Sequence, residues 1–257
     1  MLYFNHIIIL YIGISMHKYF IKFQQMLKRH FFSNYKNTLM YPNEFNKKFK
    51  NCVLLKVIGN NHKNFQYKLG LNVNDEKQNF HINGYCNSGL YFTNETEIFR
   101  FFRLFGDKVA HIKLIKNEPI WIEDYQCKTN SFEITKIESI YEYVNNLSEQ
   151  LQINMVESNS YTIKYISNPS EQVKLQAVKS DGFVIQYISN SSEQVKLQAV
   201  KSNGSAIQYI SNPSEQVKLQ AVKSNDYAIQ YISNPSEQVK LQAEKSKSLA
   251  INFFLNL

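Results

Sequence analysis

The side chains whose types and spacing could do chemistry in this chain are amides and ammonium groups set at a constant interval. Gln172, Gln194, Gln216 and Gln238 stand 22 residues apart, as do Gln176, Gln198, Gln220 and Gln242, and Lys179, Lys201, Lys223 and Lys245. An amide donates and accepts hydrogen bonds and an ammonium adds charge. Three such columns on one surface would offer a partner the same polar groups at every step. That is binding chemistry, whereas turnover needs unlike groups that converge. Cys52, Cys86 and Cys127 are odd in number and far apart, which argues against a disulfide framework. The six histidines form no HxxxH and no CxxC is present. A zinc set would have to join His81 and Cys86 to two distant residues, so the spacing implies no metal and no cofactor.

The columns belong to a repeat. Ser-Glu-Gln opens at Ser148, Ser170, Ser192, Ser214 and Ser236, and SEQVKLQAVKS recurs unchanged at 170–180, 192–202 and 214–224. A period of this length marks stacked units, none of which buries its apolar face alone. Each unit reads as two short helices. In Asn212-Pro213-Ser214-Glu215, Asn212 is placed to be the N-cap, Pro213 N1, and Glu215 the N3 member of a capping box. Val217, Leu219, Ala221 and Val222 then cover a wide arc, leaving Gln216, Gln220 and Lys223 on a narrow polar face. The second helix sets Tyr227, Ala228, Ile229, Tyr231 and Ile232 against Asp226, Gln230 and Ser233. Turns are expected near each Ser-Asn-Pro or Ser-Asn-Ser. Tyr165, Tyr187, Tyr209, Tyr231 and Phe253 are expected to form one continuous buried column. Val217 to Ala221 also alternates with period two, as a β-solenoid would, but β-branched residues are few and the caps favour helices. In the last unit Glu244 replaces the valine of Val178, Val200 and Val222, as an uncovered end would allow. Leu249, Ile251, Phe253, Phe254, Leu255 and Leu257 nevertheless make its last helix the most apolar. It would fold back over the open end or support a weak homodimer through residues 249–257.

The formal charge of +8 suggests nucleic acid until it is located. Residues 1–49 carry seven Lys and Arg against one Glu; residues 50–147 carry twelve against eleven acids, and the repeats ten against nine. The repeats contain no Arg, so a nucleic-acid groove has little to be built from. Residues 2–15 are mostly apolar but shorter than the roughly 18 residues expected of a spanning helix. Lys18, Lys22, Lys28, Arg29 and Lys36 follow them, so residues 1–36 could lie on a membrane surface as an amphipathic segment. A packed helix or an upstream extension explains them as well, because Met16, Met26 and Met40 offer starts alternative to Met1.

Three regions result: an apolar and basic extension over 1–48, an α+β module over 49–147, and an α-helical solenoid of five 22-residue repeats over 148–257. In the module, 53–58, 108–115, 119–122 and 132–137 read as strands. Asn94-Glu95-Thr96-Glu97 is a capping box opening a helix through Ile98, Phe99, Phe101, Phe102 and Phe105 to Gly106 as C-cap. Gly70, Gly84 and Gly89 punctuate a long loop before Leu90.

Asn61-His62, Phe65-Gln66-Tyr67, Gly70-Leu71-Asn72, Gly84-Tyr85-Cys86 and Gly89-Leu90-Tyr91-Phe92-Thr93 together resemble the N-terminal module of mimivirus-type giant-virus repeat proteins. There the module precedes ankyrin or other solenoid repeats, and the 22-residue repeat is similar to short helical repeats of the same viruses. The resemblance covers about 50–137 and departs at Cys127-Lys128-Thr129-Asn130-Ser131, where the family has a Trp-Lys-Ala-Asp-Lys-like stretch. It implies context, namely the host cytoplasm and an unidentified host or viral protein partner, and no mechanism. The order His62, Tyr91 in a glycine-aromatic strand, and Glu133 also resembles ADP-ribosyltransferases. That resemblance would give His62 and Tyr91 to NAD and Glu133 to its ribose, provided the three converge. The reading preferred from sequence is a protein-interaction scaffold. An enzyme in the module and a membrane-attached structural protein are the alternatives.

Overall fold

The computed structural model describes residues 32–59, 65–74, 89–102 and 106–255, without the side chains of Ser33 and of residues 247–255. The chain is α+β: an antiparallel sheet followed by consecutive short helices, in two compact units, Met1–Ser139 and Ile140–Leu257. The second unit starts ahead of the expected 147/148 boundary. Its first helix, Ile140–Asn145, serves the repeats: Asn145 donates from Nδ2 to the Tyr165 carbonyl (2.9 Å) and accepts from the Ser167 N–H (2.9 Å).

Among its described residues the first unit holds eight strands: β1 Thr38–Met40, β2 Leu54–Ile58, β3 Gly70–Val73, β4 Leu90–Asn94, β5 Lys108–Leu114, β6 Ile120–Ile122, β7 Cys127–Thr129 and β8 Ser131–Ser139. Their order is β1-β6-β7-β4-β2-β5-β8-β3, every pairing antiparallel. Alternation turns Leu54, Ile58, Phe92, Ala110, Ile112, Phe132 and Ile134 to one core. β2 and β5 lie between β4 and β8, which in a flat sheet would set those strands about 14 Å apart. The rings of Phe92 and Phe132 are instead 6.4 Å apart, so the sheet curls around its core. Helix α1, Pro42–Lys48, covers that core with Phe45, which meets Phe92 at 6.3 Å and Phe49 at 4.5 Å.

The expected strands at 53–58, 108–115, 119–122 and 132–137 are present within a residue or two. The stretch read as a long loop contains β3. The capping signal at Asn94 is used, since Oδ1 accepts from the N–H groups of Thr96 and Glu97 (both 3.0 Å). What it opens is a 3₁₀ helix, Ile98–Phe101, in place of the expected α-helix; residues 103–105, the end of that expected helix, lie outside the described residues. Glu97 takes Arg100 Nε at 2.5 Å and does not complete a capping box. Gly106, at φ +150°, is required by close approach: a Cβ there would lie 2.1 Å from the Ile58 carbonyl oxygen.

In the repeats each of the first four units pairs a ten-residue α-helix with a six-residue 3₁₀ helix, not two α-helices. The α-helices are Glu149–Ser158, Glu171–Ser180, Glu193–Ser202 and Glu215–Ser224; the 3₁₀ helices are Ser160–Tyr165, Gly182–Tyr187, Gly204–Tyr209 and Asp226–Tyr231. α packs on α and 3₁₀ on 3₁₀ from unit to unit. Val173, Ala177 and Val178 and their equivalents in the next two units, Val195, Ala199 and Val200 and Val217, Ala221 and Val222, are wholly buried.

The N-cap is Ser214, not Asn212: its hydroxyl accepts from the Val217 N–H at 3.2 Å, and Ser170, Ser192 and Ser236 repeat the contact. Asn212 has φ +50°, as do Asn190 and Asn234 within a degree, and makes the turn before the cap. Asparagine tolerates this left-handed conformation better than most residues. At the other end one residue closes the α-helix and opens the 3₁₀ helix. Asn203 N–H donates to the Ala199 carbonyl (2.9 Å) while its Oδ1 accepts from the Ser205 N–H (3.1 Å). Asn159, Asp181 and Asn225 do the same. Lys247 occupies this position in the last unit and has no acceptor to offer. The helix there runs unbroken over Glu237–Leu255, which corrects the paired-helix expectation for that unit.

Gly204 packs where a Cβ would lie 2.4 Å from the Ala221 carbonyl oxygen of the next helix. Gly204→Ala should therefore lower the stability of the repeats by roughly 1–3 kcal/mol. A lowered urea midpoint followed by far-UV circular dichroism is the expected outcome, and an unchanged midpoint would mean the units are spaced more loosely than this.

Candidate interaction surface

The three polar columns lie on one face of the α-layer, because residues four and seven apart on a helix share a side. Gln172, Gln194, Gln216 and Gln238 are exposed, as are Lys179, Lys201, Lys223 and Lys245. Gln176, Gln198, Gln220 and Gln242 are half-buried, and two of them are partly used within their own helices: Gln220 Nε2 donates to Ser224 Oγ (3.0 Å) and Gln242 Nε2 to Ser246 Oγ (3.3 Å). The outer columns are thus the open ones. Lys179, Lys201 and Lys223 sit in the last turns of parallel helices, where a cation also complements the helix dipole. Among the described residues none of these three has a carboxylate within ion-pair distance, whereas Lys240 pairs with Glu237 at 2.7 Å.

The tyrosine series lies outside the core, contrary to the sequence expectation. Tyr187, Tyr209 and Tyr231 are 43%, 43% and 42% exposed, and Tyr165 is half-buried. In a three-residue turn Ile163 and Ile166 share the inward face, so Tyr165 is turned off it. The tyrosines instead make an outer row. Tyr161 meets Tyr187 and Phe183 meets Tyr209 edge-on, both at 6.0 Å. Phe253 and the other side chains of 249–257 lie outside the described residues. Glu244 is exposed, as its place at the last unit suggested.

His62 also lies outside the described residues. Tyr91 is on β4 and Glu133 on β8, with β2 and β5 between them. Tyr91 pairs across to Lys128 on β7, whose Nζ is 6.0 Å from its ring centroid; Glu133 binds Lys113 Nζ at 3.0 Å near the far edge of the sheet. The fold does not bring these two together. His81 and Cys86 are outside the described residues, and among those described no group of three or more His, Cys, Asp or Glu could hold a metal. No described helix is long and apolar enough to cross a membrane.

The ionisable groups that sequence reasoning passed over are inside and behind the sheet. Lys56, in the middle of the apolar run 53–58, is 5% exposed, and burial lowers its amine to about 7. Burial, with a smaller contribution from Glu95, pushes the Cys52 thiol up to about 12, and burial raises Cys127 and Tyr67 as well. Burial works against ionisation of Glu138. Lys136 (2.8 Å) and His111 (2.6 Å) more than offset it, and its carboxyl is held below the usual range. A lysine interrupting an otherwise continuous apolar strand was the signal available for Lys56.

With the geometry in place, comparison with known proteins adds one finding. Residues 170–214 and 192–235 match the family described as a domain of unknown function, DUF4116. The two matches start 22 residues apart, one repeat, and each spans about two units. No curated protein and no solved structure matches the chain.

Lys56 gives the first unit a calculable pH dependence. Its value is lowered on folding, so between about 7 and the ordinary 10.5 the unfolded chain holds more protons and stability rises with pH. The raised thiols and Tyr67 act oppositely above their ordinary values of 9.0 and 10.0, which leaves a window of roughly pH 7 to 8.5. Urea unfolding followed by Trp121 emission should show stability rising by up to about 1.4 kcal/mol per pH unit in that window. Lys56→Met should flatten the slope, and a flat wild-type profile would contradict the burial of a lone amine.

Proposed function

We propose that this chain is a non-enzymatic protein-interaction scaffold whose helical repeats bind an extended partner along the α-layer. The observation that carries the reading is the recurrence of Gln172 and Lys179 equivalents, exposed and in the same orientation on successive units. A partner lying across the helices would meet an amide and an uncompensated ammonium at each step, about 10 Å apart where helices pack side by side. An acidic, extended protein segment has the matching chemistry, since many weak polar contacts at fixed spacing reward a partner with the same rise. The curled sheet would serve as a second binding unit, and a host or viral protein partner is the one that the module's resemblance to giant-virus repeat proteins would suit. The lysines also complement their helix dipoles, so their charge alone would not distinguish binding from local stabilisation; their regular freedom from carboxylates favours binding.

The test is charge reversal in the full-length protein. Lys179→Glu with Lys201→Glu and Lys223→Glu should abolish recovery of a protein captured by the wild type from infected-cell lysate. Lys47→Glu with Lys68→Glu and Lys116→Glu, equal in charge change and placed in the other unit, should leave recovery intact. Retention of the same captured protein by the first variant would remove the α-layer face from consideration.

A further inference from the structure

Lys56 differs from every other buried ionisable group described in the sheet unit. It lies on β2 between the core residues Leu54 and Ile58, opposite Ala110 of β5, whose small side chain leaves room for the lysine stem. Its Nζ donates to the Tyr91 carbonyl at 2.8 Å and stands 4.6 Å from the centroid of the Tyr67 ring. Among the described residues it has no carboxylate partner. The comparison with Lys128 is direct, because that lysine is just as buried and has Glu123 Oε1 at 3.4 Å. Burying an ammonium with no counter-charge costs several kcal/mol, and an apolar residue of the same volume would spare the fold that cost. The same inward face carries a second such group. Thr129, paired with the core residue Leu90, is wholly buried, and its Oγ1 has no hydrogen-bond partner among the described residues.

We infer that Lys56 is a nucleophilic amine that binds apolar aldehydes covalently, as an imine, inside the curled sheet. The chemistry follows from how the nitrogen is held. A neutral amine has two hydrogens and one lone pair; the Tyr91 carbonyl takes one hydrogen and the π-face of Tyr67 attracts the other, which leaves the lone pair uncommitted. That pair forms a bond to the carbonyl carbon of the aldehyde as the C=O π electrons move to oxygen. The resulting carbinolamine expels its oxygen with the two amine hydrogens as water and leaves a C=N bond, so no oxidant or reductant is needed. The neutral form required is the one that burial favours near pH 7. The ligand class follows from the walls. Tyr67, stacked 6.2 Å from Phe132, and Phe65, 4.6 Å from Tyr67, are aromatic, and among the described residues no second cation is placed against the amine to bind an anionic head group. Tyr67 is only half-buried and precedes β3 in a segment without strand pairing.

Benzaldehyde with cyanoborohydride at pH 7 tests this on the full-length protein, with the benzylated lysines located by peptide mass spectrometry. Burial lowers the Lys56 amine, so its neutral, reactive fraction at this pH exceeds that of an ordinary exposed lysine. Lys56 should carry the first benzyl group, ahead of the exposed Lys47 and Lys179, and should lose that lead in urea. Lys56→Met, which replaces the amine by an apolar side chain and keeps the core filled, should leave only slow surface labelling. Native wild-type protein labelled at Lys47 and Lys179 with Lys56 untouched would overturn the inference, as would a Lys56 rate no higher in native protein than in urea.

Discussion

The repeats depend on what one hydroxyl does twice. Ser192 caps its own helix by accepting the Val195 N–H (3.2 Å), and through its proton it binds the Glu171 carboxylate of the unit before. Ser170 does this with Glu149, Ser214 with Glu193, and Ser236 with Glu215. A cap residue normally satisfies one helix end and stops there. Here the acceptor at the start of one helix holds the donor at the start of the next, so each helix start is placed by its predecessor. The carboxylate also stands at a helix N-terminus, where the dipole favours it. In the fifth unit Glu237 pairs with Lys240 of its own helix at 2.7 Å. Ser and Glu at these positions are therefore structural, which explains why Ser-Glu opens every unit, and the outer Gln and Lys columns are left exposed.

The second constraint is the Asx residue that ends each α-helix. Its N–H closes one helix and its side-chain oxygen opens a 3₁₀ helix, so the chain reverses within a single residue. Six residues then remain before the next turn. That is too short for an α-helix to recover its nucleation cost. The substitution of Lys247 shows the dependence from the other side: without the oxygen, the last helix continues to Leu255.

Much of this was legible in the sequence, for identifiable reasons. The period, the helical character, the turns and the exposed glutamine and lysine columns followed from spacing alone. The N-cap was misplaced by two residues because Asn-Pro-Ser contains two good cap residues, and only the left-handed φ of Asn212 separates them. The tyrosines were assigned to the core because a period of 3.6 was assumed where the backbone turns in three. In the sheet unit, strands announced by long apolar runs were legible, but β1, β3 and β7 are short, and β3 carries Asn72 inward, where its side chain binds the Lys68 backbone. The curl of the sheet left no trace in any single strand. For that reason Lys56 read as one polar residue in a buried run, and its lack of a counter-charge became visible only once the neighbouring strands were placed.

The sheet unit and the repeats thus handle polar groups in opposite ways. The repeats satisfy them reciprocally and leave a regular surface, while the sheet encloses an amine that no described carboxylate neutralises. The claim that adjacent repeats are joined through their caps is tested most directly by a double-mutant cycle on Ser214 and Glu193. Urea unfolding of Ser214→Ala, Glu193→Ala and the double variant should show the double costing less than the sum of the singles by roughly 0.5–1.5 kcal/mol. Costs additive to within about 0.3 kcal/mol would mean that the serine serves its own helix only, and would contradict the account.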